Sequence, residues 1–191
     1  MDGNFEDLEA QFKQKPGGSG GAKARKPGSR TSKVARKQAI VNSQQIRVQE
    51  AGAKLERDLV HFPFIKGNLE TNLKPIETYK TWLLASLSHQ PPTSETDKDL
   101  TFEPTHSSGP GGQNVNKVQS AIIARHTITG LFVKAEESRD QPQNKVAATT
   151  RLHEKLSQHI EDAKVYLSDR PTLESKGEKI MELLSGILAK N

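Results

Sequence analysis

Residues 107–120 read SSGPGGQNVNKVQS, and the first half of that string cannot run through the interior of a helix or a strand. Pro110 fixes one φ and withholds an N–H, while Gly109, Gly111 and Gly112 open backbone angles closed to other residues. No hydrophobic residue falls in the first seven positions, so nothing draws the stretch into a core. It is a loop, and the regular elements have to be arranged on either side of it. Main-chain N–H groups in such a loop can come close to a ligand, because no Cβ stands between. The residue it carries is Gln113, not a Ser, a His or a carboxylate. Neither a Walker pattern nor a dinucleotide fingerprint is present.

Upstream of the loop, Leu100, Phe102 and Pro104 alternate with polar residues, which predicts a strand. Downstream, SAIIARHT and LFVKAEES flank ITG, two β-rich runs around a glycine turn that read as a hairpin. A long helix is expected from about Gln143 to Leu167, its buried stripe formed by Val146, Leu152, Leu156, Ile160, Ala163 and Leu167, with Arg170-Pro171 ending it. A last helix over 173–189 presents Ile180, Leu183, Leu184, Ile187 and Leu188. A small mixed or antiparallel sheet with one long helix across a face, and the loop projecting from it, is an α+β fold. Before the linker HQPPTSETDKD, the run KPIETYKTWLLASLSHQ places Ile76, Tyr79, Trp82, Leu83 and Leu87 at three- and four-residue steps. That spacing predicts a short amphipathic helix with Pro75 in its first turn, packed on the body that follows; docking to a partner is the alternative.

Charge is distributed unevenly. Residues 1–12 hold four acids and no base, whereas residues 13–58 hold twelve Lys and Arg against Glu50, Glu56 and Asp58, and the remainder is balanced. QKPGGSGGAKARKPGSR is Gly-, Ser- and Pro-rich and basic, the composition of a flexible arm. The following stretch to Leu59 is helix-forming with a broken apolar spacing (Val34, Ile40, Val41, Val48, Leu55), a helix of modest stability. Such a segment suits a polyphosphate, since each neutralised phosphate releases counterions. The organisation expected is a basic, largely flexible or helical extension over 1–58, an amphipathic helix and linker over 59–97, a body over 98–167 and a C-terminal amphipathic helix over 168–191. Zero cysteines exclude a disulfide framework, a Cys-ligated zinc and a thiol nucleophile. No apolar run approaches a membrane span, the acidic start lacks a secretory leader's basic region, and no histidine pairs with a second ligand at metal spacing. Neither a metal nor a cofactor is expected.

The string SSGPGGQNVNKVQSAI, followed by a strand, the turn at Thr129-Gly130, LFVKAEESR and a helix carrying Gln141 and Asn144, resembles the catalytic domain of class I peptide chain release factors. It is equally similar to their codon-independent relatives, the ribosome-rescue peptidyl-tRNA hydrolases. The resemblance covers about 98–165. It implies hydrolysis of the ester joining a peptide to the terminal adenosine of tRNA in the large subunit's peptidyl-transferase centre. It implies a soluble protein of a bacterial cytoplasm or a mitochondrial matrix, with ribosome, rRNA and peptidyl-tRNA as partners. It assigns catalysis to Gly111, Gly112 and Gln113, the donor being the main-chain N–H of Gln113, and loop shaping to Ser107, Ser108, Gly109 and Pro110. Asn114, Asn116 and Lys117 lie where the next turn would face RNA. Lys134, Arg139 and Lys145 are candidate phosphate contacts, as are Lys23, Arg25, Lys26, Arg30, Lys33, Arg36 and Lys37 of the basic segment. Gln141 and Asn144 are expected to brace the base of the loop.

A stop-codon reader of this family needs a further domain with a Pro-x-Thr or Ser-Pro-Phe tripeptide. Pro91-Pro92-Thr93 meets the first pattern literally but sits in the linker, and Ser-Pro-Phe is absent. Codon-independent release is therefore the expectation, with a non-catalytic ribosome-binding or assembly factor and a truncated stop-codon reader as alternatives. The rescue relatives carry a basic C-terminal tail, whereas here the basic segment is N-terminal and residues 168–191 are near neutral and amphipathic. That last helix could receive a protein partner.

Overall fold

The computed structural model describes residues 30–65, 69–88, 98–107 and 119–190, the side chains of 30–33 excepted. The chain divides into two compact units, Met1–Gln38 and Ala39–Asn191. In element order the described residues form α1 (Arg30–Asp58), a 3-10 turn (Leu59–His61), α2 (Leu69–Ser88), β1 (Leu100–Thr105), β2 (Ala121–His126), β3 (Phe132–Ala135), α3 (Gln141–Tyr166) and α4 (Leu173–Lys190). The three strands make one antiparallel sheet in the order β1-β2-β3. The expected α+β fold is present, and the sheet is antiparallel throughout.

Helix α3 lies across one face of the sheet and closes an apolar layer of Leu100, Ile122, Ala124, Leu131, Ala135, Ala148, Leu152 and Leu156. Its far half joins a second cluster made by the helices, with Leu55 and Leu59 before α2, Ile76, Tyr79 and Leu83 on α2, Ile160 and Ala163 on α3, and Ile180, Leu184 and Ile187 on α4. Trp82 packs against both clusters, so the one tryptophan joins sheet core to helix core. The apolar face of α4 is used inside the chain, against α2.

Several expectations are corrected. Val146 is 68% exposed, and the stripe of α3 instead continues through Asn144 and Ala148, because an amide with main-chain partners occupies the buried position. Pro75 lies inside α2, not in its first turn. The helix begins earlier because the buried Asn72 ties the incoming chain to it: Ile65 N–H donates to Asn72 Oδ1 at 2.8 Å, and Asn72 Nδ2 donates to Ile65 O at 2.9 Å. On α1, Val34, Ile40 and Val41 are exposed and Val48 half-buried, so only the C-terminal part, from Ala51 and Leu55, reaches the core. Pro104 is exposed on β1, an edge strand where its missing N–H withholds nothing from the ladder to β2. The flexible arm expected over 14–30 lies outside the described residues up to Ser29.

Buried polar contacts tie the helices before the sheet to α3. His159 is fully buried; its Nδ1 lies 2.8 Å from Asp58 Oδ2 and its Nε2 lies 2.8 Å from the Tyr79 hydroxyl. With Nδ1–H donating to the carboxylate, Nε2 accepts from the phenol, and α1, α2 and α3 meet at one imidazole. Burial and the Asp58 carboxylate both push the Tyr79 hydroxyl's pKa up, which keeps it a donor. At the hairpin turn Gly130 has φ +74°, and a Cβ there would stand 1.9 Å from the His61 carbonyl oxygen. Only glycine meets both demands.

His126, at the end of β2, is fully buried against Trp82, with ring centroids 5.0 Å apart. Thr129 N–H donates to its Nδ1 at 3.4 Å, and the Thr129 hydroxyl, which accepts from Leu131 N–H, lies 2.9 Å from the same nitrogen. The Thr129 contacts use Nδ1, and Nε2 has no hydrogen-bond partner among the described residues. Burial, then His159 and His153, lower its pKa from 6.5 to about 4. The unfolded chain binds this proton near pH 6.5 and the folded chain resists it until about 4, so stability falls as pH drops across that window. Between pH 7 and pH 5 the loss should be about 2 kcal/mol in urea unfolding. His126→Leu should flatten that part of the profile, and an unchanged slope would remove His126 as its source.

Candidate functional site

The loop of special residues is the connection of an antiparallel hairpin. β1 ends and β2 begins at the pair Thr105↔Ala121, so the residues between them connect the two strands at that end of the sheet. Ser108, Gly109, Pro110, Gly111, Gly112, Gln113, Asn114, Asn116 and Lys117 lie outside the described residues. What the structure shows is the base on which they stand.

That base is held from both sides. The hydroxyls of Ser107 and Ser120 are hydrogen-bonded at 3.2 Å, joining the strand that enters the loop to the strand that leaves it. Asn144, on the first turn of α3 and 1% exposed, donates from Nδ2 to Ser120 O and to Ser138 O, each at 2.8 Å. Its Oδ1 accepts from Ser138 N–H at 3.0 Å. One amide thus fixes the loop's exit, the segment after β3 and the start of the long helix. Gln141 adds a bond from Nε2 to Gln119 O at 3.0 Å. The brace expected of Gln141 and Asn144 is present. Ser120, just before β2, and Ser138, after β3, complete it, and no sequence pattern singles them out.

The first turn of α3 shows why the chain folds this way locally. Asp140 precedes the helix in extended conformation without a side-chain cap, and Pro142 supplies the preset φ of a helix start. The Ser138 hydroxyl takes the capping part: it accepts from Asp140 N–H at 3.0 Å and donates to Gln143 Oε1 at 2.9 Å. The Asn144 N–H donates to Asp140 O at 3.1 Å, which closes the first helical turn and turns the Asn144 side chain inward.

Among the cations, Arg139 is exposed just before α3. Lys145 is exposed too, its Nζ 4.4 Å from the centre of the Phe102 ring. Lys134 is ion-paired with Glu136 at 2.6 Å. Arg36 and Lys37 are exposed on α1; Arg30 and Lys33 lie on the same helix, with side chains outside the described set. Lys23, Arg25 and Lys26 fall outside the described residues. Among the described residues no three His, Asp or Glu side chains stand together as a metal site, and no helix is long and apolar enough to cross a membrane.

Residues 91–182 match the family described as the RF-1 domain. This segment is an RF-1 domain, the domain of the GGQ loop in class I release factors. Peptide chain release factor 2 of Mycolicibacterium vanbaalenii is 33% identical over 124 residues, covering 56% of this chain and 34% of that protein. The factor 2 of Saccharopolyspora erythraea is 32% identical over 124 residues with the same coverage, and that of Mycobacterium ulcerans is 33% identical, with 33% of its length covered. The chain thus aligns with about a third of the length of the curated relatives it matches. The match begins at residue 91, so α1 and α2 precede the RF-1 domain, while α3 and most of α4 fall within it.

Asn144→Ala would strand buried main-chain groups at Ser120 and Ser138 that the amide now satisfies. Leaving such groups unpaired costs roughly 1–3 kcal/mol. The expected result is a lower thermal midpoint together with faster amide hydrogen exchange at 119–121 and 138–140. Exchange at those positions equal to the parent protein would show that the amide is not what holds the loop base.

Proposed function

We propose that the chain hydrolyses the ester between a nascent peptide and the terminal adenosine of tRNA in the peptidyl-transferase centre of the large ribosomal subunit, without reading a codon. The observation that carries this reading is the braced hairpin connection that bears Gly111-Gly112-Gln113. Ester hydrolysis by water passes through a tetrahedral intermediate with negative charge on the former carbonyl oxygen. A fixed N–H donor aimed at that charge in a site without bulk water contributes about 10²–10³ in rate. With the Gln113 main-chain N–H as donor and its side-chain amide positioning the water, no ionisable side chain is required, and geometry is the catalytic resource. A base held by Asn144, Gln141 and the Ser107–Ser120 bond supports this reading, because it fixes both ends of the connection.

Codon independence is supported by the packing of the helices around the sheet and α3. The described segments beside the sheet and α3 are α1, α2 and α4, helices whose apolar residues close one core with α3. In this chain those segments serve the RF-1 domain's own packing. Anchoring then falls to the basic segment, where Lys13, Lys15, Lys23, Arg25, Lys26, Arg30, Lys33, Arg36 and Lys37 occur without an intervening acid.

The test is release of labelled peptide from ribosomes carrying peptidyl-tRNA and no stop codon. Gly112→Ala should bind subunits as the parent does and release peptide at least about 10²-fold more slowly, because a methyl group displaces the donor. Equal release by the two proteins would exclude the loop as the catalyst. A non-catalytic factor would release nothing in either form, and a stop-codon reader would release only when a stop codon is supplied.

Removing residues 1–38 tests the arm without touching Ala51, Leu55 or Asp58, which belong to the packed body. The shortened protein should keep its thermal midpoint and bind ribosomes more weakly. The plot of log affinity against log salt should become shallower, by roughly 0.7–0.9 for each phosphate that the arm no longer neutralises. An unaltered slope would relieve the arm of that role.

A further inference from the structure

The face of the sheet turned away from α3 carries Thr101 and Glu103 of β1, Ile123 and Arg125 of β2, and Phe132 and Lys134 of β3, as the strand register requires. At its β3 edge Arg125 and Phe132 are direct cross-strand partners, and the guanidinium carbon stands 4.8 Å from the ring centre. Lys155 reaches the same ring from α3, its Nζ 5.8 Å from the centre and donating to Phe132 O at 3.3 Å. His61 meets the ring edge-on at 5.1 Å. All three of Arg125, Phe132 and Lys155 are half-buried, open on one side.

The charge balance here differs from that at the ion-paired lysines. Lys134 is matched by Glu136, Lys54 by Asp162, Lys179 by Asp169 and Lys190 by Glu56. Arg125 and Lys155 have no carboxylate partner among the described residues; they donate to the Gly130 and Phe132 carbonyls. Two uncompensated cations on one aromatic ring, beside a second ring, form a surface for a phosphate and a stacked base.

We propose that the Arg125–Phe132–Lys155 cluster is a contact site for an unpaired stretch of the large subunit's ribosomal RNA. The inference rests on the ribosomal reading above and adds to it the face that meets RNA. The cluster is at the turn end of β2, four residues from Ala121, about 13 Å along the strand from the loop base. With the loop at the ester, the 3′ end of the tRNA is taken up there. The acceptor stem behind it is a duplex whose bases are stacked away and whose deep groove side chains do not read. Unpaired ribosomal RNA offers both the exposed base and the phosphate that this cluster matches.

The experiment measures binding of the full chain to purified large subunits and, in a separate arm, to deacylated tRNA, over a range of salt. Arg125→Gln with Lys155→Gln should weaken subunit binding roughly tenfold and lower the log–log salt slope by about 1.4, two single-strand phosphate contacts. Binding to tRNA should not change. Acetylation of Lys155 in the unaltered protein, read by mass spectrometry, should be suppressed by subunits and not by tRNA, which keeps the test open should the double variant fold poorly. Unchanged subunit affinity and slope, or equal acetylation with and without subunits, would overturn the site. Protection by tRNA alone would overturn the assignment to ribosomal RNA. Peptide release scored in parallel separates the two readings: full release with an unaltered slope refutes only this site, and protection of Lys155 without release refutes only the hydrolase.

Discussion

One face of α3 sets the positions of the sheet, the loop base and the flanking helices. Asn144 at its start ties down the loop base, Ala148, Leu152 and Leu156 carry the sheet, and His159, Ile160 and Ala163 receive the helices before and after it. A helix is stiff along its axis, so a displacement at the helical cluster reaches the loop base as a rigid movement and is not absorbed between. Two polar side chains anchor this face: the amide of Asn144 makes three main-chain bonds, and the imidazole of His159 uses both nitrogens. In a site that excludes water each of those bonds is costly to leave unmade, which favours this arrangement.

The helices before the sheet belong to that arrangement. His61 O packs on Gly130 so closely that no side chain is admitted, Asp58 and Tyr79 complete the His159 bonds, and Trp82 fills the junction between the two apolar clusters. Residues from Ala51 onward are thus structural, whereas exposed Val34, Ile40 and Val41 with Arg36 and Lys37 make the earlier part of α1 a solvent-facing basic helix. The division at residue 58, drawn from charge, falls within the part of the chain whose apolar side chains are buried. The acids return at Glu50 and the packing begins at the next residue, Ala51, seven residues before Asp58.

Periodicity makes the strands, the hairpin, α3 and α4 legible, because each buries a regular apolar row against one neighbour. The same rule misplaces Val146, since it cannot see that a polar Asn144 is drawn inside by main-chain partners six residues away and across the sheet. Pro75 reads as a helix start for an equally local reason; the bonds that extend α2 backward come from Asn72 to Ile65, outside the helix. The Asp58–His159–Tyr79 contact joins residues 101 and 80 positions apart, and no short-range pattern encodes it. Of the loop, only the base at Ser107, Gln119 and Ser120 lies within the described residues, so its glycine and proline spacing stands as a reading of the sequence. The side chains that hold its base are half-legible, Gln141 and Asn144 by resemblance and Ser120 and Ser138 not at all.

The chemistry of the brace also differs from that of the surface, and the difference has a use. Asn144, Gln141, Ser107 and Ser120 are neutral groups bonded to one another or to peptide groups, so salt does not screen them and no titration near neutral pH disturbs them. The exposed cations of α1 and the half-buried Arg125–Lys155 pair are long charged side chains, and the attraction to phosphate proposed for them would be screened by salt and reversible. A protein that must find a highly charged particle and then hold one amide within a fraction of an ångström needs both kinds of interaction, kept apart. In the function proposed, electrostatics would govern arrival and departure without disturbing the loop base, because the cations assigned to RNA are not the residues bonded at that base.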